Sequence, residues 1–183
     1  GVSPRLRFDL VLNNLVAWAY TTGQVYIKSD GTPWRPMVHA LDIAKAIRMS
    51  VESPREAVHG AIFNVGSEAN NYQIGQLAQI VVDTLPNKVE IEWYGDADTR
   101  SYRVSFDRIE SLGWKAQRVA EDGIREIAAK LESGELDRTT ETITLDWYKN
   151  LVKWHEIIRK VELYGGIFDI PEAEIGRASC RER

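Results

Sequence analysis

Cysteine is almost absent from this sequence: Cys180, three residues from the end of 183, is the only one. A disulfide framework and a cysteine-ligated zinc site are excluded, and a reduced, cytoplasmic setting fits. Histidine is scarce as well. His39, His59 and His155 have no metal-ligand spacing and no adjacent partner, so each reads as structural or exposed. No apolar run approaches the ~20 residues that a membrane span requires. The net charge of -4 argues against a general affinity for nucleic acid or an anionic membrane. It still permits a local arginine cluster that grips one phosphorylated small molecule. No basic-then-apolar leader opens the chain, and residue 1 is Gly rather than Met, so the true start is expected upstream. Two further patterns are missing. No Gly-x-x-Gly-x-x-Gly follows a strand to cradle a dinucleotide pyrophosphate. No Tyr has Lys four positions on; Tyr148, for instance, is followed there by Val152. No Ser-His-Asp set and no pair of carboxylates stands out.

What is present is ordinary for a folded domain: 44% apolar and 27% charged residues, enough chain for one real core. Helical periodicity runs from Asp9 to Tyr20, with Asp9 as a cap, Leu12, Leu15, Val16 and Ala19 on one face, and Gly23 as the stop. Val25–Ile27 reads as a short strand, residues 29–33 as a turn-rich loop, and Pro36–His39 as extended. Asp42 reads as the N-cap of a helix from Ile43 to about Glu52 whose apolar face is Ile43, Ala46, Ile47 and Val51. Ala61–Val65 reads as a buried strand ended by Gly66. A helix over Gln73–Thr84, an alternating strand over Val89–Trp93 and a loop over 95–99 follow. Helices then cover Asp107–Leu112 and Val119–Leu131. The mixed pattern indicates an α/β domain over 1–132, a polar flexible linker over 133–141 and a helical extension over 142–173. Within that extension Trp147, Leu151, Trp154, Ile158 and Val161 are in register on a helix from Ile143 to Leu163. The last ten residues, Glu174 to Arg183, resemble the translation of a common sequencing adapter and are expected to be an artefact; the chain is expected to be a gene fragment.

The residues that can carry chemistry are few. Arg35 lies between two prolines in Pro33-Trp-Arg-Pro36, and a stiff segment aims a side chain well. It reads either as a phosphate fork or as a surface arginine paired with a carboxylate. Arg100 and Arg103 follow an acidic loop and can close on a phosphate or form a solvated cluster. Asn13 and Asn14 are unfavourable inside an apolar helix; they either reach a ligand or satisfy a neighbouring loop. Taken alone, these residues support a mixed α/β domain with an anion site.

Taken in order, the segments resemble the extended short-chain dehydrogenase/reductase family, the NAD-dependent epimerases and dehydratases of nucleotide sugars. Asn13-Asn-Leu-Val-Ala17 is similar to the Asn-Asn-Leu-Met-Pro helix of UDP-galactose 4-epimerase. Asp30-Gly-Thr-Pro-Trp-Arg-Pro-Met-Val-His-Ala-Leu-Asp42 resembles the family's Asp-Gly-x-x-x-Arg motif with its downstream His/Tyr-Val-x-Asp. Phe63-Asn-Val-Gly66 matches Tyr/Phe-Asn-Val/Ile-Gly. Arg100-Ser-Tyr-Arg-Val-Ser-Phe-Asp-Arg-Ile109 and Leu112-Gly-Trp-Lys115 resemble its Arg-x-Tyr and Leu-Gly-Trp/Phe motifs. The resemblance spans about residues 1–131. It implies that this is the substrate-binding lobe of an extended Rossmann-fold enzyme. NAD and the catalytic Tyr and Lys would then belong to an N-terminal domain not in this chain, and the parent would be a homodimer. On that resemblance Asn14 binds the substrate phosphate, Arg35 the diphosphate and Arg100 supplies a second clamp. Lys28 stands where a residue meets the nucleotide base, with neighbouring Tyr26 as the alternative. No residue of this chain is assigned a catalytic role. Three departures stand out: Tyr94-Gly-Asp-Ala-Asp98 replaces Arg-Pro-Gly-x-Asp, Ser105 replaces an Asp, and Ala40 replaces a Val.

Overall fold

The computed structural model describes residues 1–3, 6–93, 95 and 99–161. Residues 1–144 form one compact unit and residues 145–183 a second. The first unit is α/β. Helix α1, Val11–Thr22, buries the expected face, Leu12, Leu15, Val16 and Ala19. It ends at Gly23, whose φ of 72° suits glycine and whose N–H reaches Ala19 O at 3.0 Å. Its start differs from the expected one. Leu10 is the N-cap and makes no side-chain bond, while Asp9 is held by Arg7 at 3.0 Å. The amides of Asn13 and Asn14 tie the turn down by donating to Arg7 O and Phe8 O, both at 2.9 Å.

Strand β1, Gln24–Ile27, leads to β2, Trp34–Pro36. Beyond them come helices α2, Ala40–Glu52, and α3, Arg55–Val58, then β3, Asn71–Gln73, and α4, Ile74–Thr84. Strand β4, Glu90–Trp93, precedes α5, Asp107–Glu110, and α6, Ala120–Glu132. Two small sheets result. In one, β1 and β4 are parallel, with Gln24 opposite Glu90 and Ile27 opposite Trp93. In the other, β2 and β3 are antiparallel, with Arg35 opposite Tyr72. Gly31, at φ 79°, makes the turn between β1 and β2; a Cβ there would sit 2.4 Å from the Trp93 ring.

The main core lies where α1, α4 and α6 cover β1: Val16, Val25, Ile27, Leu77, Val81, Ile124 and Ile127 are essentially inaccessible. Each such side chain contributes about 1.5–3 kcal/mol of apolar burial. A smaller cluster joins Ala46, Phe106, Ile109 and Trp114, with Phe63 and Val65 against it.

Residues 61–65 were expected to be a buried strand. They form no strand, and Ile62 is 78% exposed. An extended segment becomes a strand only when a ladder partner lies beside it, and the described residues supply none. Helix α2 departs similarly. Ile43, Ile47 and Val51 face outward, and the face turned inward carries Asp42 and Ala46. The stretch expected to link the domain to its extension has contacts of its own. Leu136 packs on the main core, Arg138 lies 3.9 Å over the Trp18 ring, and Thr142 O accepts the Phe8 N–H at 2.8 Å. Helix α7 spans Thr144–Val161 and, from Leu145 on, belongs to the second unit. Leu163 and the adapter-like residues lie outside the described residues.

Candidate functional site

The site is built on β2. Pro33 O and Met37 N bond across to Ile74 N and Asn70 O, so the odd-numbered positions of this strand face β3. Trp34 faces the other edge, where residues 99–104 run alongside it. Its N–H donates to Ser101 Oγ at 3.0 Å, and its carbonyl accepts from Tyr102 N at 3.4 Å. Asn71, 6% exposed, pins the same segment: its amide donates to Val104 O at 3.0 Å and its carbonyl accepts Val104 N at 3.2 Å. One side chain thus imitates a strand partner, satisfying two backbone groups that burial would otherwise penalise.

This arrangement brings the Arg35 side chain to the backbone of Arg100, the residue that the resemblance paired with it. The half-buried Arg35 donates through Nη1 to Trp34 O at 2.8 Å and also to Arg100 O. Its guanidinium lies over the Tyr102 ring, 5.3 Å from the centroid. Arg103 lies over Trp34 at 4.7 Å and pairs with Glu68. The guanidiniums of Arg35 and Arg103 therefore lie on two adjacent segments, and arginine forks are donors of the kind that a phosphate takes.

The other expected ligands sit apart along the chain. The Asn14 amide is engaged by the Phe8 carbonyl. Tyr26, on β1, stacks edge-on against Trp18 at 5.1 Å and donates its hydroxyl to Gln24 Oε1. Lys28 is exposed just beyond β1. Sequence reasoning missed Trp34, Tyr102, Glu68 and Asn71. The available signal was the repeated aromatic-arginine dipeptide, Trp34-Arg35 and Tyr102-Arg103, whose pairing cannot be seen without the fold.

Beside β2 the chain turns through His39 into α2, where a second polar cluster forms. Asp42 was expected to cap this helix. Instead His39 caps it, its Nδ1 accepting Leu41 N–H at 3.2 Å. Asp42, 0% exposed, reaches across to the segment before α6 and accepts Gln117 N–H and Arg118 N–H, both at 3.0 Å. The Lys45 ammonium lies 3.7 Å from its other oxygen. With His39 Nδ1 accepting, the ring hydrogen sits on Nε2 and is donated to Glu126 at 3.0 Å. Arg118 meets the same carboxylate at 2.9 Å. The described residues contain no cluster of His, Cys, Asp and Glu able to hold a metal.

Burial opposes ionisation of Glu126, but the bonds from Val2 N–H and His39 prevail and hold it below its ordinary value of 4.5. A carboxylate depressed on folding stabilises the fold above its unfolded pKa and loses that effect as pH falls through the folded one. Glu126→Gln should therefore lower the melting temperature at pH 7. The gap to the unmodified chain should stay full down to about pH 4.5 and shrink below it. A gap that is constant with pH would remove Glu126 from the acid response.

Residues 4–66 match the model of the NAD dependent epimerase/dehydratase family. Among solved structures the chain is similar to a Bacillus cereus UDP-glucuronic acid 4-epimerase variant in complex with NAD and a fluorinated UDP-sugar. The TM-score is 0.61 at 14% identity, over 71% of this chain and 42% of that one. It is similar to dTDP-glucose 4,6-dehydratase from Bacillus anthracis in complex with NAD, at TM-score 0.57 and 18% identity, over 73% and 42%. It also resembles RMD from Pseudomonas aeruginosa complexed with NADPH, at TM-score 0.59 and 20% identity, over 72% and 46%. The chain spans less than half the length of these structures. No helix among the described residues is long and apolar enough to cross a membrane.

Proposed function

We propose that this chain, whose residues 4–66 match the model of the NAD dependent epimerase/dehydratase family, is the nucleotide-sugar-holding C-terminal lobe of such an enzyme. The observation that carries the reading is that Arg35, on β2, reaches the Arg100 carbonyl of the segment alongside, which also carries Arg103. A sugar-nucleotide diphosphate carries about two negative charges, and each charge-assisted bond to it contributes roughly 1.5–3 kcal/mol. Energy gained on this remote part of the substrate positions the sugar for chemistry elsewhere.

NAD is the family's cofactor, and the described residues do not fit it. Here β1 runs through Lys28–Pro33 into β2, with no glycine-rich turn opening a helix, and Tyr-x-x-x-Lys is absent from the sequence. On this reading the chain binds substrate and transfers no hydride. Dinucleotide binding and the catalytic residues belong to the rest of the parent, a cytoplasmic homodimer by family resemblance. Within the lobe, Asn14, Lys28 and Tyr26 are the further candidate substrate contacts.

Titration of UDP into the purified 183-residue chain tests the reading. Saturable heat that weakens as salt is raised is the expected result, since exposed arginine–phosphate pairs are screened. Binding that is absent at every salt concentration would overturn it. The chain with NAD and UDP-glucose should show no turnover.

A further inference from the structure

Two aromatic-arginine dipeptides lie on adjacent extended segments, and each arginine crosses to the ring of the other. Arg35 lies over Tyr102 at 5.3 Å and Arg103 over Trp34 at 4.7 Å. The segments are locked in this register by Ser101 Oγ on Trp34 N and by the double bond of Asn71 to Val104. Resting on the reading that Arg35 holds a diphosphate, we propose that Tyr102 and Trp34 are positioning residues that orient these guanidiniums before the ligand arrives.

The chemistry of the guanidinium supports this. Stacking uses its face, whereas hydrogen bonds leave from its edge, so a stacked arginine stays able to donate. Arg103 makes both contacts at once: it lies over the Trp34 ring while one of its nitrogens meets the Glu68 carboxylate. That carboxylate is an oxyanion of this chain, bound as a phosphate oxygen would be. Arg35 likewise combines the Tyr102 ring with hydrogen bonds to two carbonyls. A long side chain loses considerable rotamer freedom when fixed, and a ring already in contact with it offsets part of that loss before binding. The contact also explains why Tyr102, 54% exposed, spends its ring on an arginine instead of the core.

The test uses the 183-residue chain, UDP as ligand, and the variants Tyr102→Leu, Tyr102→Phe and Trp34→Leu. Tyr102→Leu should weaken UDP about threefold and the double leucine variant about tenfold, the size of one and two exposed cation–π contacts. Tyr102→Phe, which keeps the ring face, should bind as the unmodified chain does. In arginine-labelled protein the Arg35 Nε–H resonance should carry a ring-current shift that Tyr102→Phe keeps and Tyr102→Leu loses. Leucine variants that bind UDP normally, or an Arg35 resonance indifferent to Tyr102→Leu, would overturn the positioning role. If Arg35→Ala abolishes binding in the same series, the diphosphate reading survives that result. If Arg35→Ala binds UDP normally, the diphosphate reading fails, and this proposal fails with it.

Discussion

Replacing Asp42 with alanine should destabilise the chain by about 3 kcal/mol, the cost of two charge-assisted bonds made by a buried carboxylate. For a chain of this length that is roughly a 6–12 °C fall in melting temperature. The carboxylate is fully inaccessible and takes the N–H groups of Gln117 and Arg118 at 3.0 Å each. Its removal leaves both amides without this acceptor. It also leaves Lys45 without the carboxylate 3.7 Å away. Asp42→Asn keeps one acceptor oxygen and should cost less than half as much. Thermal melts of the three proteins decide the matter. An alanine variant that melts with the unmodified chain would show that the α2-to-α6 connection rests on packing instead.

The second large effect concerns binding. Arg35→Ala should weaken UDP by about 2 kcal/mol, roughly thirtyfold, in line with the loss of one charge-assisted arginine contact. In the intact parent enzyme the same substitution should lower kcat/KM by a similar factor, because the lost contact serves both substrate and transition state. Arg35→Lys retains the charge but lacks the planar fork, so it should fall between the two. Calorimetry on the chain and steady-state kinetics on the parent measure these quantities. Unchanged affinity and unchanged kcat/KM would mean that the Asp-Gly-x-x-x-Arg motif is a turn with an incidental arginine.

Much of the local structure was legible without coordinates. The stripes of α1, α4 and α6 follow from apolar spacing, since a helix repeats every 3.6 residues whatever surrounds it. Gly23 and Gly31 mark a helix end and a turn because positive φ is a property of the residue itself. Arg35 and Arg100 were singled out from stiff or flexible flanks and from family motifs; in the fold the Arg35 guanidinium bonds to the Arg100 backbone carbonyl.

Other readings failed where a residue's role depends on chain far away. Asp42 has the look of a cap, yet its partners lie 75 and 76 positions downstream, and His39 takes the cap. Ala61–Val65 has strand composition and finds no ladder neighbour among the described residues, because β pairing belongs to two segments and never to one. The isoleucines of α2 form the expected stripe, but periodicity says only that a stripe exists. What covers it, and which way it turns, is set by the elements around it. The sequence by itself determined the α/β alternation and the apolar stripes of α1, α4 and α6, since these rest on local geometry and side-chain chemistry. Tertiary structure alone decided that Asp42 ties α2 to the start of α6 and that Arg35 and Arg103 exchange aromatic partners. Those contacts join residues 67 to 76 positions apart, and their energies exist only once the chain has closed.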